Sequence, residues 1–97
     1  MVIIVSAYIR LENILTEEQI FENLTPIFRD VFDDDFLIPT PEMTAADVPE
    51  WDSLSHIRLI VSVEQHFKVK FTTAEVSSFV NVEHFVRSIH TKVMANG

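Results

Sequence analysis

A serine and an aspartate stand side by side where a helix is expected to begin, in the stretch EWDSLSH at residues 50–56. Asp52 suits the N-cap position, because its carboxylate can accept a hydrogen bond from the backbone N–H of Ser55 and lies at the positive end of the helix dipole. Ser53 is then the first helical residue, with an outward hydroxyl that is not needed for capping. Since unpaired backbone N–H groups at a helix start favour an anion, Ser53 is suited to carrying a phosphate ester.

The helix that begins at Ser53 has an unusually wide apolar arc. One stripe at helical spacing is a predicted core stripe: Leu59, Ile60, Val63 and Phe67. A second stripe lies part of a turn away: Leu54, Ile57 and Val61. The second stripe either belongs to the core of a bundle in which this helix is central, or forms an exposed apolar strip beside Ser53 where partner proteins dock.

The other helices are predicted from their capping residues. The first begins at a capping box on Thr16 and its apolar stripe ends near Phe32. A short helix begins at a second capping box on Thr72, and Asn81 caps the last helix. Together with the helix at Ser53, these make three main helices and one short helix. The predicted fold class is all-α, which agrees with a chain that has one glycine and four prolines.

The remaining segments set the domain boundaries. Residues 33–51 contain three of the four prolines and no sustained period, which predicts a long surface loop with one turn of helix around Ala45. With 97 residues, a single domain is expected. We place it at residues 16–95, after an N-terminal extension at residues 1–15 whose structure, as a strand, a helix or a tail, stays open.

Composition limits the partners and the chemistry. The formal charge of -8 disfavours nucleic acid and anionic membrane surfaces, and it favours either solubility alone or a partner with a basic patch. The apolar start MVIIVSAYI is too short to span a bilayer, so no membrane insertion and a cytoplasmic location are expected. Because there is no cysteine, any sulfur chemistry must come from an attached group.

The chain resembles the acyl carrier protein family in four features. These are DSL at the start of the second main helix, the long acidic loop before it, EQHFKVKF at its end, and a short capped helix before a final amphipathic one. The resemblance covers residues 16–93 and implies a four-helix bundle of acyl-carrier type, with the acyl carrier domain at 16–95. It also implies that Ser53 receives 4′-phosphopantetheine from coenzyme A through a phosphopantetheinyl transferase. The thiol of that arm holds acyl groups as thioesters, so the protein is a carrier and not an enzyme.

The resemblance further implies which residues surround the cofactor and face partner enzymes. Asp52 and Leu54 flank the attachment serine. The implied partner surface consists of Leu54, Ile57, Arg58, Val61, Glu64 and Glu50. In fatty-acid carriers the second main helix is strongly acidic, whereas Arg58 and Gln65 stand here where acids are typical, together with Ser55 and His66. We therefore expect a specialised lipid, polyketide or related pathway, with acyl-activating, synthase or acyltransferase partners that have basic docking patches.

Other functions have weaker support in the sequence. A serine hydrolase is disfavoured because Ser53 and His56 lie on one helix without a G-x-S-x-G elbow. No metal site is expected, since the four histidines lack close pairing and are interpreted as solvated surface residues: His56, His66, His84 and His90. A weak divalent-ion contact at Asp33–Asp35 stays open.

The main alternative to a working carrier is a carrier-shaped structural subunit that does not depend on the arm. Trp51 either braces the arm or packs into the core, and the protein is expected to be a monomer.

Overall fold

The structure is a computed structural model that describes residues 15–96. Helix α1 spans Glu17–Val31, α2 spans Ser53–Phe67, α3 spans Thr73–Ser78 and α4 spans Val82–Asn96, with a single turn of 3-10 helix at Ala45–Asp47. The predicted all-α fold of three long helices and one short helix is confirmed. The predicted N-terminal extension, apart from its last residue, lies outside the described residues. Among the helices of residues 15–96, none combines the length and apolarity that crossing a membrane requires.

The helices begin at the predicted caps. The Thr16 hydroxyl accepts a hydrogen bond from the backbone of Gln19 at 3.1 Å, and the Gln19 side chain accepts one from the backbone of Thr16 at 2.9 Å. Thr72 and Glu75 repeat this reciprocal pair at α3. Asn81 accepts from the first turn of α4 at 2.8 Å. Backbone N–H groups without a partner inside the helix are thereby satisfied by residues close in sequence.

Two contacts establish how α1 and α2 lie against each other. Asn23, in the first half of α1, bonds to His66 near the end of α2 at 2.9 Å. Phe28, in the last turns of α1, packs against Trp51 just before α2, with ring centroids 5.6 Å apart. The two helices are therefore antiparallel, and the end of α1 supports the start of α2.

The core lies between α1, α2 and α4. Among the described residues, the side chains with no exposed surface are Ile20, Leu24, Phe28, Leu59, Val63, Val82, Val86 and Ile89. They continue the apolar stripes that the sequence shows on these three helices. Because their burial removes a large apolar area from water, they supply most of the driving force for the fold.

The long loop between α1 and α2 is fastened to the start of α4. The backbone N–H of Val82 donates to the carbonyl of Met43 at 2.9 Å, and that of Glu83 donates to the carbonyl of Pro41 at 3.0 Å. Val48 is buried in the core cluster. The loop therefore satisfies donors of the first turn of α4 and brings the residues before Ser53 to a defined position.

Helix α3 has only six residues and depends on its neighbours, since an isolated helix of this length is unstable in water. Lys92 of α4 pairs with Glu75 at 3.0 Å near the start of α3. Beyond its other end, Phe79 packs edge-on against Phe85 of α4, with centroids 4.8 Å apart. These contacts hold α3 against α4, and a hydrogen bond between His56 and Val76 places α3 beside the first turns of α2, where the serine lies.

Candidate functional site around Ser53

Ser53 lies where the sequence predicts it, at the first position of α2. Asp52 has extended backbone angles and its carboxylate accepts from the backbone N–H of Ser55 at 2.9 Å, which confirms it as the N-cap. Ser53 is exposed, and its hydroxyl forms no hydrogen bond with any residue in the range 15–96. The oxygen is therefore accessible to a modifying enzyme and is not needed to begin the helix.

The cap also determines the charge beside Ser53. The hydrogen bond from the backbone N–H of Ser55 lowers the pKa of Asp52 below its ordinary value of 3.8, and the hydroxyl of Ser55 lowers it further. Both donors favour the carboxylate over the carboxylic acid. Asp52 is thus negatively charged at neutral pH, at the positive end of the α2 dipole.

Trp51 packs into the core just before the cap. Its indole is half-buried and lies 5.6 Å from the Phe28 ring at nearly a right angle and 5.1 Å from the Phe32 ring, centroid to centroid. On its other side it is stacked on the imidazole of His56 at 6.1 Å. Of the two interpretations of this tryptophan, packing into the core is therefore observed, and the same ring borders the surroundings of Ser53.

The interpretation of His56 as a solvated surface residue is wrong. His56 is half-buried; its Nδ1 lies 3.1 Å from the indole Nε1 of Trp51 and its Nε2 lies 2.9 Å from the carbonyl oxygen of Val76. The indole N–H can only donate and the carbonyl can only accept. The imidazole therefore accepts at Nδ1 and donates from Nε2, which requires the neutral form with its proton on Nε2.

A sequence signal for this pair exists. Trp51 precedes the N-cap and His56 is the fourth residue of α2, which are the two positions of a hydrophobic staple. That spacing places the rings on one side of the helix start. The bond from His56 to Val76 has no such signal, because the two residues are twenty positions apart and meet only when α3 packs beside α2.

A shallow groove begins at Ser53. Its walls include Trp51, Asp52 and His56 on one side, and Val76, Ser77 and Phe79 from α3 and the residues after it on the other. Most of these side chains present apolar or aromatic surface. The exposed serine hydroxyl therefore lies in an open groove between α2 and α3 that has both polar and apolar surface.

Comparison with known proteins identifies the family. Neither a protein-family model nor a curated protein matches the chain. Among solved structures, the solution NMR structure of a holo acyl carrier protein from Geobacter metallireducens is similar, with 45% sequence identity and a TM-score of 0.74 over 78% of this chain and 87% of that chain. The chain belongs to the acyl carrier protein family. The recognition from the DSL motif and its context, and the four-helix bundle of acyl-carrier type, are thereby confirmed.

The residues around Ser53 fit a phosphopantetheine group. Attachment to Ser53 needs an accessible oxygen without a competing hydrogen bond. The Ser53 residue is exposed, and its hydroxyl forms no hydrogen bond with the described residues. A phosphodiester would lie at the positive end of α2, where the dipole favours negative charge. The groove from Ser53 would let Trp51, His56 and Phe79 contact the arm.

The second apolar stripe of α2 is exposed. Leu54 is 69% exposed, Ile57 52% and Val61 44%, whereas Leu59 and Val63 on the core side are completely buried. The stripe begins directly after Ser53 and continues along α2. Of the two interpretations, the exposed strip is the one observed, because α1 and α4 cover only the other face of the helix.

The other predicted partner residues do not all lie together. Glu50 and Arg58 are exposed, Glu50 in the turn three residues before Ser53 and Arg58 on α2 five residues after it. Glu64 is half-buried, and its carboxylate accepts from the backbone N–H of Phe71 at 2.9 Å, far along α2 from the serine. Glu64 thus stabilises the connection between α2 and α3.

Within the described residues, no three histidine, aspartate or glutamate side chains lie close enough together to hold a metal ion.

The lowered pKa of Asp52 predicts an acid-dependent stability. A carboxyl whose pKa is lower in the folded state than in the unfolded state adds stability above the unfolded pKa, near 3.9 for aspartate, and that stability is lost as the pH falls through the folded pKa. Asp52→Asn keeps a neutral cap and removes only the charge. We expect the melting temperature of Asp52→Asn to be below wild type at pH 7, and the gap to shrink as the pH falls through the lowered pKa of Asp52 in the folded protein. Thermal unfolding at pH 7 and over a series of acidic pH values tests this, and a gap that does not change with pH would contradict it.

Proposed function

We propose that this protein carries acyl intermediates as thioesters on a 4′-phosphopantetheine arm attached to Ser53. The observation that carries the proposal is the exposed Ser53 hydroxyl, at the first position of α2 and without a hydrogen bond to the described residues. The similar structure is that of a holo acyl carrier protein, which supports the arm as the cofactor. The arm supplies the thiol that this cysteine-free chain lacks.

The residues around Ser53 then have distinct roles. Asp52 begins α2 and leaves the serine oxygen free of capping. The positive end of the α2 dipole favours the phosphodiester on that oxygen. Trp51 and Phe79 provide apolar walls along the groove, where the hydrocarbon part of the arm and its cargo would be shielded from water. The protein positions and protects the cargo, and partner enzymes carry out the bond chemistry.

The partner surface follows from the exposed strip and the charge. Leu54, Ile57 and Val61 would pack against apolar side chains of a partner, as exposed apolar strips commonly do. The net charge of -8 would steer that encounter towards basic docking patches. We propose the phosphopantetheinyl transferase and acyl-activating, synthase or acyltransferase enzymes as partners. Nucleic acid and membrane insertion are not part of this function.

The pathway is proposed from the composition of α2. Arg58 is exposed on the partner face, and Glu64 is engaged with Phe71. The face of α2 is therefore less acidic than in carriers of housekeeping fatty-acid synthesis. We propose a specialised lipid, polyketide or related pathway, served in the cytoplasm by a monomeric carrier domain at residues 16–95.

The experiment that tests the proposal is intact mass spectrometry after incubation with a phosphopantetheinyl transferase and coenzyme A. We expect the mass to rise by one phosphopantetheinyl group, and the new thiol to accept an acyl group. Omission of coenzyme A is the control. If the folded protein gains no mass with any of several transferases, the carrier function is wrong, and the structural subunit that works without an arm becomes the better explanation.

A further inference from the structure

The groove at Ser53 lies beside a second, more enclosed cavity. That cavity has a volume of about 60 Å³ and reaches inward to Leu59 of α2 and Phe85 of α4, both of which are buried. Polar side chains at its rim include Thr44 and Asn81. The cavity thus extends from the loop and the start of α4 towards the centre of the bundle.

The two spaces share part of their walls. Ala45, Trp51, His56 and Phe79 border both the groove and the inner cavity. Leu59 and Phe85 border only the inner cavity, and Asp52 and Ser53 border only the groove. A chain that passes directly from the groove at Ser53 into the inner cavity therefore crosses the wall formed by the four shared residues.

A continuous line of hydrogen bonds crosses this shared wall. The indole of Trp51 donates to His56 at 3.1 Å, and His56 donates to the carbonyl of Val76 at 2.9 Å. The line joins the loop, α2 and α3. Both ends and the imidazole are at least half-buried, so breaking either bond leaves a polar group with reduced access to water, which is unfavourable.

We propose that the hydrogen-bonded pair Trp51–His56 is the gate between the groove and the inner cavity, and that it determines which cargo enters. The inference rests on the proposed attachment of the arm at Ser53. A long apolar acyl chain gains enough by burying its methylene groups beside Leu59 and Phe85 to offset the lost bond. A short acyl group gains too little and stays in the groove with the gate closed. Trp51 and His56 are thus specificity-determining residues.

The single tryptophan makes the gate directly observable. Trp51 provides the chain's one indole N–H, which gives one resonance in a proton–nitrogen correlation spectrum. The full chain is loaded on Ser53 with acetyl-phosphopantetheine or with octanoyl-phosphopantetheine, and loading is verified by mass. We expect the acetyl form to keep the indole resonance of the unmodified protein. The octanoyl form should show a shifted resonance and faster exchange with water, by about tenfold or more.

Variants of His56 separate the gate from general packing. His56→Phe keeps a ring but removes both hydrogen bonds, and should give fast indole exchange even in the acetyl form. His66→Phe, at an exposed histidine of the same helix that bonds to Asn23, is the matched control and should leave the indole resonance unchanged. His56→Gln retains a donor and an acceptor, so the indole N–H should exchange more slowly in His56→Gln than in His56→Phe. This variant also tests the gate if His56→Phe folds poorly.

The outcomes distinguish this inference from the proposed function. If no arm is attached, the proposed function fails and the gate fails with it. If the arm is attached but the acetyl and octanoyl forms have the same indole resonance and exchange rate, the gate is overturned and the carrier function stands. Equal indole exchange in His56→Phe and wild type would also overturn the gate, because the hydrogen bond would then contribute nothing to closure.

Discussion

Ser53→Ala is expected to abolish attachment of the phosphopantetheinyl group completely while leaving the folded protein intact. The substitution removes the oxygen that the arm requires. Stability should change by less than about 0.5 kcal/mol, because Asp52 caps α2 and the Ser53 hydroxyl forms no hydrogen bond with the described residues. Intact mass after incubation with transferase and coenzyme A measures the first effect, and chemical denaturation measures the second.

Ser55→Ala is the matched control for this experiment. It removes a hydroxyl two residues further along the same turn, yet leaves the backbone N–H that the Asp52 carboxylate accepts from. Ser55→Ala should therefore be modified as wild type is. A mass gain that persists in Ser53→Ala would show that another residue carries the arm. A stability loss of about 1 kcal/mol or more in Ser53→Ala would contradict the assignment of Asp52 as the cap.

Phe28→Ala should destabilise the protein by about 3–5 kcal/mol, the largest stability effect that we predict. The Phe28 side chain has no exposed surface, and its ring packs edge-on against Phe32 and Trp51 at 5.7 and 5.6 Å. Removing it loses the buried apolar area and leaves a cavity between α1 and the start of α2. Equilibrium unfolding in urea, followed by helical circular dichroism, measures the loss.

Phe36→Ala is the control, since Phe36 is the same residue type at 89% exposure on the loop after α1. Its stability should stay within about 0.5 kcal/mol of wild type. Similar effects of the two substitutions would show that the core does not depend on the contact between α1 and Trp51. The fluorescence of Trp51 should change in Phe28→Ala and remain unchanged in Phe36→Ala, because the Phe28 ring packs against the indole and the exposed Phe36 ring does not.

The helix starts and the position of Ser53 are readable in the chain because they depend on neighbours in sequence. Thr16, Asp52 and Thr72 each bond to a backbone N–H three residues away, so the residue types alone indicate where α1, α2 and α3 begin. The core stripe with Leu59 and Val63 follows equally from helical periodicity. A cap or an apolar stripe can be predicted without knowing which part of the protein packs against it.

Burial and long-range pairing were decided by tertiary packing. Periodicity could not tell whether Ile57 faced the core or water; Ile57 is exposed because α1 and α4 cover the other side of α2. The sequence likewise could not show that Glu64 accepts a hydrogen bond from the backbone of Phe71, or that the second hydrogen bond of His56 goes to Val76. Each of these outcomes depends on where another helix or the connecting chain comes to lie, and composition and spacing within one helix contain no information about that.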